Sequence, residues 1–182
     1  MKTRQALIKN ILSALFLALA FIIPFLFGHL PQINSMFCPM HIPIFLCGFI
    51  CGWQRGLIVG FIAPLSRSLL FGLPVFFPTA LCMAFELAAY GAIAGLAYKL
   101  LPKKVGFIYV SLVVSMLAGR ITRALATFIC YGISGTEFSL SAFMSGVVAY
   151  AIPGIILHLL LIPPCVMLAQ KLNVLKEKDG TI

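Results

Sequence analysis

Acidic residues are scarce in this chain, since only four of its 182 residues are Asp or Glu. Asp179 is the only aspartate and lies in the C-terminal tail, and Glu86 is the only carboxylate well inside an apolar segment. Metal-dependent phosphotransferases need clustered acidic ligands, so the count argues against such an enzyme. The sequence also has no nucleotide-binding motif, and its six cysteines include no CxxC pair of the kind found in zinc or redox sites.

What the chain has in abundance is apolar side chains. Hydrophobic residues make up 62% of it, charged residues only 9%, and the mean hydropathy is +1.12. These values indicate an integral membrane protein. Since a spanning helix needs about 20 apolar residues, the chain has room for roughly six spans. We therefore predict an all-α fold in which residues 1–182 form a single transmembrane domain, with spans near residues 6–27, 38–54, 56–72, 77–99, 105–131 and 143–170.

The positive charges are distributed unevenly between the loops. Ten of the thirteen basic residues fall at one set of loops and at the two ends of the chain: Lys2, Arg4, Lys9, Arg55, Lys99, Lys103, Lys104, Lys171, Lys176 and Lys178. Loops rich in Lys and Arg lie on the cytoplasmic side, so both termini are predicted to be cytoplasmic. This topology also accounts for the net charge of +9 without a nucleic-acid partner.

Four charged side chains lie inside the predicted spans: Arg67, Glu86, Arg120 and Arg123. Each costs about 2.5 to 3.5 kcal/mol at the centre of a helix in lipid, so these side chains are expected to face protein or a wet cavity. Arg120 and Arg123 are three residues apart and share one helix face. The four charges sum to two positive charges in excess, and guanidinium groups suit carboxylates, which predicts an anionic ligand. The alternative is that Glu86 pairs with an arginine only to hold helices together.

Further candidates come from the ends of the spans. The outer loop at residues 28–37 contains Gln32 and Asn34, which can hydrogen-bond a small molecule, and His41 begins the second span. His158, midway along the last span, is expected to bond a neighbouring backbone carbonyl. Glycines and alanines at four-residue spacing, such as Gly48 with Gly52, predict close helix packing.

Two sequence features resemble a known family. The first span reads Ser-Ala-Leu-Phe-Leu-Ala-Leu-Ala, with Ala14 and Ala18 in an Ala-xxx-Ala pattern, and residues 39–90 include PMHIPIFLCGFICGW, GFIAPLSRSLLFG and FPTALCMAFELAAY. In these residues, in its size and in its six predicted spans, the chain resembles the substrate-binding membrane subunits, or S components, of bacterial energy-coupling factor (ECF) vitamin transporters.

The resemblance implies a subunit of the bacterial cell membrane that binds a vitamin from outside. Ala14 and Ala18 would dock on the membrane coupling subunit, and two ATPase subunits would hydrolyse ATP, so that this chain needs no cofactor or metal of its own.

The basic residues favour a small anionic vitamin, and pantothenate fits well because it is anionic and hydroxylated. Biotin, niacin and folate are open alternatives, as are an intramembrane enzyme and a passive channel from other functional classes. The expected substrate-binding residues are Arg67, Glu86, Arg120, Arg123, His41, Asn34 and Gln32.

Overall fold

The structure, a computed structural model, describes residues 2–26, 37–134 and 152–171. This part of the chain contains six α-helices and no strand, which confirms the all-α prediction. The helices are α1 (Lys2–Leu26), α2 (His41–Cys51), α3 (Trp53–Phe71), α4 (Leu81–Leu100), α5 (Val105–Ser134) and α6 (Ile152–Lys171). A short π-helical segment, Phe76–Ala80, leads into α4.

Among the described residues, four helical stretches are long and apolar enough to cross a membrane: Thr3–Phe25, Phe76–Leu100, Val105–Gly132 and Ile152–Lys171. Helix α2 has only 11 residues. The count of six spans and the cytoplasmic termini therefore stay predictions, and residues 143–151 of the predicted last span lie outside the described residues. Large apolar side chains cover the outer surface, with Leu69 75% exposed and Leu160 66% exposed, as expected of helices surrounded by lipid.

A glycine separates α2 from α3. The backbone N–H of Gly52 donates to the carbonyl of Gly48 at 3.2 Å, and Gly52 itself has a φ of 97°. Residues with a side chain rarely adopt such a positive φ, so glycine is the natural residue at this break. Helix α3 then begins at Trp53. Near the break, Arg55 donates to Asn10 Oδ1 at 2.9 Å and to the Cys51 carbonyl at 3.2 Å, which ties α3 to α1 and α2.

Helices α2, α3 and α4 meet backbone to backbone. A Cβ added to Gly56 would lie 2.5 Å from the carbonyl oxygen of Gly91 and 2.8 Å from the Cα of Gly48. A Cβ added to Gly95 would lie 2.6 Å from the backbone nitrogen of Trp53. No side chain fits in these gaps, which confirms the predicted close helix packing for Gly48, Gly56, Gly91 and Gly95. The prediction is wrong for Gly52, where a Cβ would meet no heavy atom within 4 Å and where glycine serves the positive φ instead.

The remaining helices complete a bundle around α2 and α4. Helix α1 packs on α2 and α3, α5 packs on α4, and α6 packs on α2 and α5. The apolar core lies between these helices and includes Ile44, Phe45 and Leu87, all completely buried. This arrangement brings α2, α4, α5 and α6 together around one space.

We expect Gly91→Ala to destabilise the protein, because its Cβ would collide with the backbone of Gly56. Overpacking of this kind lowers the free energy of unfolding by about 1 to 3 kcal/mol, which thermal or denaturant unfolding in detergent would measure. Gly106→Ala is the matched control, since a Cβ there has no neighbouring heavy atom within 4 Å. Equal stability of the two variants would contradict the close contact of α3 with α4.

Candidate functional site

The carboxylate of Glu86, on α4, is completely buried and lies next to three donors. Arg123 Nη1 donates to Oε2 at 2.6 Å, and Arg120 Nη1 lies 3.4 Å from Oε1. The Tyr90 hydroxyl donates to Oε1 at 2.7 Å. We call Glu86, Tyr90, Arg120 and Arg123 the Glu86 cluster.

Local helix geometry places the members of the cluster. Tyr90 is four residues after Glu86, so both side chains project from one face of α4, and Arg120 and Arg123 are three apart on α5. The structure thereby confirms that the two arginines share a face. The ring of Tyr90 lies against Gly119 of α5, where a Cβ would collide with it. Glycine at this position lets Tyr90 reach Glu86 between the two helices.

The Glu86 cluster carries one positive charge in excess, because one carboxylate faces two guanidinium groups. Both arginine side chains are mostly buried, with 25% of Arg120 and 24% of Arg123 exposed. A buried charge without a partner is strongly unfavourable in a medium of low dielectric constant. The cluster can therefore accept one further negative charge.

A cavity of about 140 Å³ opens beside the cluster, between α2, α4, α5 and α6. It is lined by His41, Phe45, Tyr90, Val113, Met116, Leu117, Arg120, Ile155 and His158. Arg120 is the only charged side chain on this wall among the residues that the structure describes. Arg123, with its shorter contact to Glu86, is not part of the wall. The two arginines thus have different positions: Arg123 neutralises Glu86, and Arg120 faces both Glu86 and the cavity.

Four rings form one side of the cavity. Phe45 and Tyr90 stack with their centroids 4.8 Å apart, and His41 and His158 stack at 5.7 Å. His41 is 2% exposed and His158 is 4% exposed. The backbone of Cys38 accepts a hydrogen bond from His158, as the sequence analysis expected. Nδ1 of His41 and Nε2 of His158 are nevertheless buried without a hydrogen-bond partner among the described residues.

Tyr90 and His158 are site residues that the sequence analysis missed. The i, i+4 spacing of Glu86 and Tyr90 is a signal that could have found the tyrosine. No local signal points to His158, because its neighbours in the cavity, His41 and Phe45, come from a helix at the other end of the chain.

Arg67 lies apart from the Glu86 cluster. Its Nε donates to the carbonyl of Leu73 at 3.3 Å, and its guanidinium lies 5.2 Å from the centroid of the Phe25 ring. Within residues 2–26, 37–134 and 152–171 no ion pair joins it to Glu86. The excess charge at the cluster is therefore one rather than the two that follow from grouping all four charges. Gln32 and Asn34 lie outside the described residues.

Ala14 and Ala18 lie on the outer face of α1 and are exposed. Ile11, 61% exposed, and Ile22, 53% exposed, belong to the same face. Ser13, Phe16 and Ala20 form the opposite, buried stripe that packs on the bundle. The outer face of α1 is thus an apolar surface with small residues at its centre.

In a comparison with protein families, the model for the substrate-specific component of ECF transporters matches residues 9–166. No curated protein and no solved structure gives a significant match. The matched range contains the whole Glu86 cluster and both cavity histidines. Proteins of this family are transporter components rather than enzymes, and they associate with the membrane and ATPase subunits of ECF transporters.

The family and the apolar helices together make this chain a multi-pass protein of the cell membrane. Since the match covers most of the chain, the chain belongs to the family of substrate-specific components of ECF transporters.

Proposed function

We propose that this chain is the high-affinity substrate-binding subunit of an ECF importer for a small carboxylate vitamin, with pantothenate the best fit. The observation that carries the proposal is Arg120: its guanidinium lies on the cavity wall, and the neighbouring carboxylate, Glu86, is already neutralised by Arg123. Such a guanidinium is suited to a bidentate contact with a carboxylate.

The candidate vitamins differ in how well their charge balances that of the Glu86 cluster. Pantothenate, biotin and niacin each carry one carboxylate, which balances the single excess charge of the Glu86 cluster. Folate carries two carboxylates, thiamine is a cation and riboflavin is neutral, so none of these three balances it. Pantothenate also brings hydroxyl and amide groups, which suit a cavity whose wall includes His41 and His158.

A scaffold or a passive channel built on an Arg-Glu network is the alternative from another class. A receptor differs from both in that it retains its ligand. We expect mass spectrometry of small molecules released from the purified subunit to find a carboxylate vitamin, and titration calorimetry to show stoichiometric binding of pantothenate. A subunit that holds no small molecule and binds no carboxylate vitamin would support the scaffold or channel instead.

Arg120→Ala is expected to weaken pantothenate binding strongly. Loss of a charge-assisted hydrogen bond costs about 1.5 to 3 kcal/mol, which corresponds to a roughly 10- to 100-fold higher Kd by calorimetry. The variant stays folded, because Glu86 keeps its 2.6 Å contact with Arg123. Arg123→Ala, in contrast, is expected to lower the unfolding temperature as well as the affinity, since it removes the shortest contact of a buried carboxylate.

Arg67→Ala is the matched control for Arg120→Ala. It removes the same charge from a guanidinium that contacts Leu73 and Phe25 rather than the cavity. An equal loss of affinity in the two variants would contradict the assignment of the carboxylate to Arg120, and it would instead support the expectation that Arg67 contacts the ligand.

Delivery of the vitamin to the cytoplasm requires the partner subunits. We propose that the outer face of α1 docks on the membrane coupling subunit and that the ATPase subunits hydrolyse ATP, with no cofactor in this chain. Small side chains at the centre of a helix face let two helices approach closely in lipid. Ala14 and Ala18, both exposed on α1, supply such a centre.

Ala14→Trp is expected to abolish vitamin uptake by cells while the isolated subunit binds the vitamin with unchanged Kd, because the indole would hold the coupling subunit away from α1. Uptake of radiolabelled vitamin by cells measures the first effect and titration calorimetry of the isolated subunit measures the second, while co-purification of the coupling subunit reports the loss of docking. Leu160→Trp controls for the added ring, since Leu160 is 66% exposed on α6. Normal uptake by the Ala14→Trp variant would refute docking at this face.

A further inference from the structure

The cavity wall contains two polar atoms whose hydrogen bonds are not made within the described residues: Nδ1 of His41 and Nε2 of His158. Both side chains are almost completely buried, at 2% and 4% exposed. They belong to different helices, and their rings stack 5.7 Å apart on the same wall as Arg120.

Buried polar groups in folded proteins nearly always have a partner, because an unmet donor or acceptor loses its hydrogen bonds to water and gains nothing in return. A single buried atom without a hydrogen-bond partner would not by itself point to a ligand. Two of them on one wall, beside a guanidinium, indicate that the partner is a group that enters the cavity.

The chemistry of that group follows from which ring nitrogen of His158 is already hydrogen-bonded. A neutral imidazole has one N–H donor and one acceptor nitrogen, and His158 already uses its donor on the backbone carbonyl of Cys38. Nε2 is therefore an acceptor. The missing partner must bring a hydrogen-bond donor such as a hydroxyl group or an amide N–H.

We propose that His41 and His158 are specificity residues that bind a neutral part of the ligand, with Nε2 of His158 accepting from its hydroxyl or N–H donor, while Arg120 binds the carboxylate of the same molecule. This inference rests on the proposed function and narrows its substrate class to carboxylates that also carry a hydroxyl or an N–H group. Pantothenate, with two hydroxyls and an amide, and biotin, with its ureido group, belong to that class. Nicotinate does not, because it has a carboxylate and a ring nitrogen but no donor.

The test is titration calorimetry of the full chain in detergent with pantothenate, biotin and nicotinate. The unmodified protein is expected to bind pantothenate or biotin at least about 100-fold more tightly than nicotinate, since a site built for a hydrogen bond rejects ligands that cannot make it. His158→Phe is expected to weaken binding of the donor-bearing vitamin about 10- to 100-fold. It should leave the Kd of nicotinate within about twofold, because the ring is retained and Arg120 is untouched.

His158→Gln distinguishes loss of a hydrogen bond in His158→Phe from failure of that variant to fold. Its side-chain carbonyl is an acceptor, so it is expected to recover part of the affinity that His158→Phe loses. His41→Phe tests Nδ1 of His41 in the same way. Arg120→Ala should weaken binding of all three carboxylates alike, and it is therefore the control for a loss of affinity without a change of selectivity.

The outcomes separate the two proposals. Tight binding of nicotinate alone, or an equal loss for all three ligands in His158→Phe, would overturn the role of the histidines while leaving a carboxylate receptor. Unchanged affinity of His158→Phe for pantothenate and biotin would show that water satisfies Nε2 and would also overturn it. Binding of none of the three carboxylates by the unmodified protein would overturn the proposed function itself.

Discussion

The bundle depends on how a single buried carboxylate is neutralised. Glu86 is completely buried, and Arg120, Arg123 and Tyr90 surround its two oxygens at 2.6 to 3.4 Å. Without Glu86, two guanidinium groups would lie between helices with no other carboxylate side chain in the described part of the chain, and without Arg123 the carboxylate would lose its shortest contact. Loss of Glu86 would leave two buried guanidinium groups without their carboxylate, whereas loss of either arginine would leave a neutral pair, so the contact of α4 with α5 depends above all on Glu86.

The glycine contacts on the other side of α4 hold this helix in the position that the Glu86 cluster requires. Gly91 lies against the backbone of Gly48 and Gly56, so α4 is fixed in depth and rotation by contacts that leave no room for a side chain. A helix held this closely on one face presents the residues of its other face at defined positions. Glu86 and Tyr90 are thereby directed towards α5, and the cavity forms where α2 and α6 complete the enclosure.

Much of this could be predicted from local sequence. Long apolar runs predict the helices, and the three-residue spacing of Arg120 and Arg123 predicts their shared face. The relation of Arg67 to the other charges could not be predicted, because it depends on which face of α3 meets α4 rather than on spacing within one helix. His158 was missed for the same reason. Its role arises only when α6 packs on α2 and brings it next to His41.

The two surfaces proposed for transport lie on different helices of this fold, and α2 contacts both of them. The described wall of the cavity comes from α2, α4, α5 and α6, whereas the exposed alanines lie on α1, which packs on α2 and α3. Helix α2 contributes His41 and Phe45 to the cavity and also supports α1. A change of ligand specificity at the cavity wall therefore need not alter the outer face of α1, because α1 contributes no residue to the described wall.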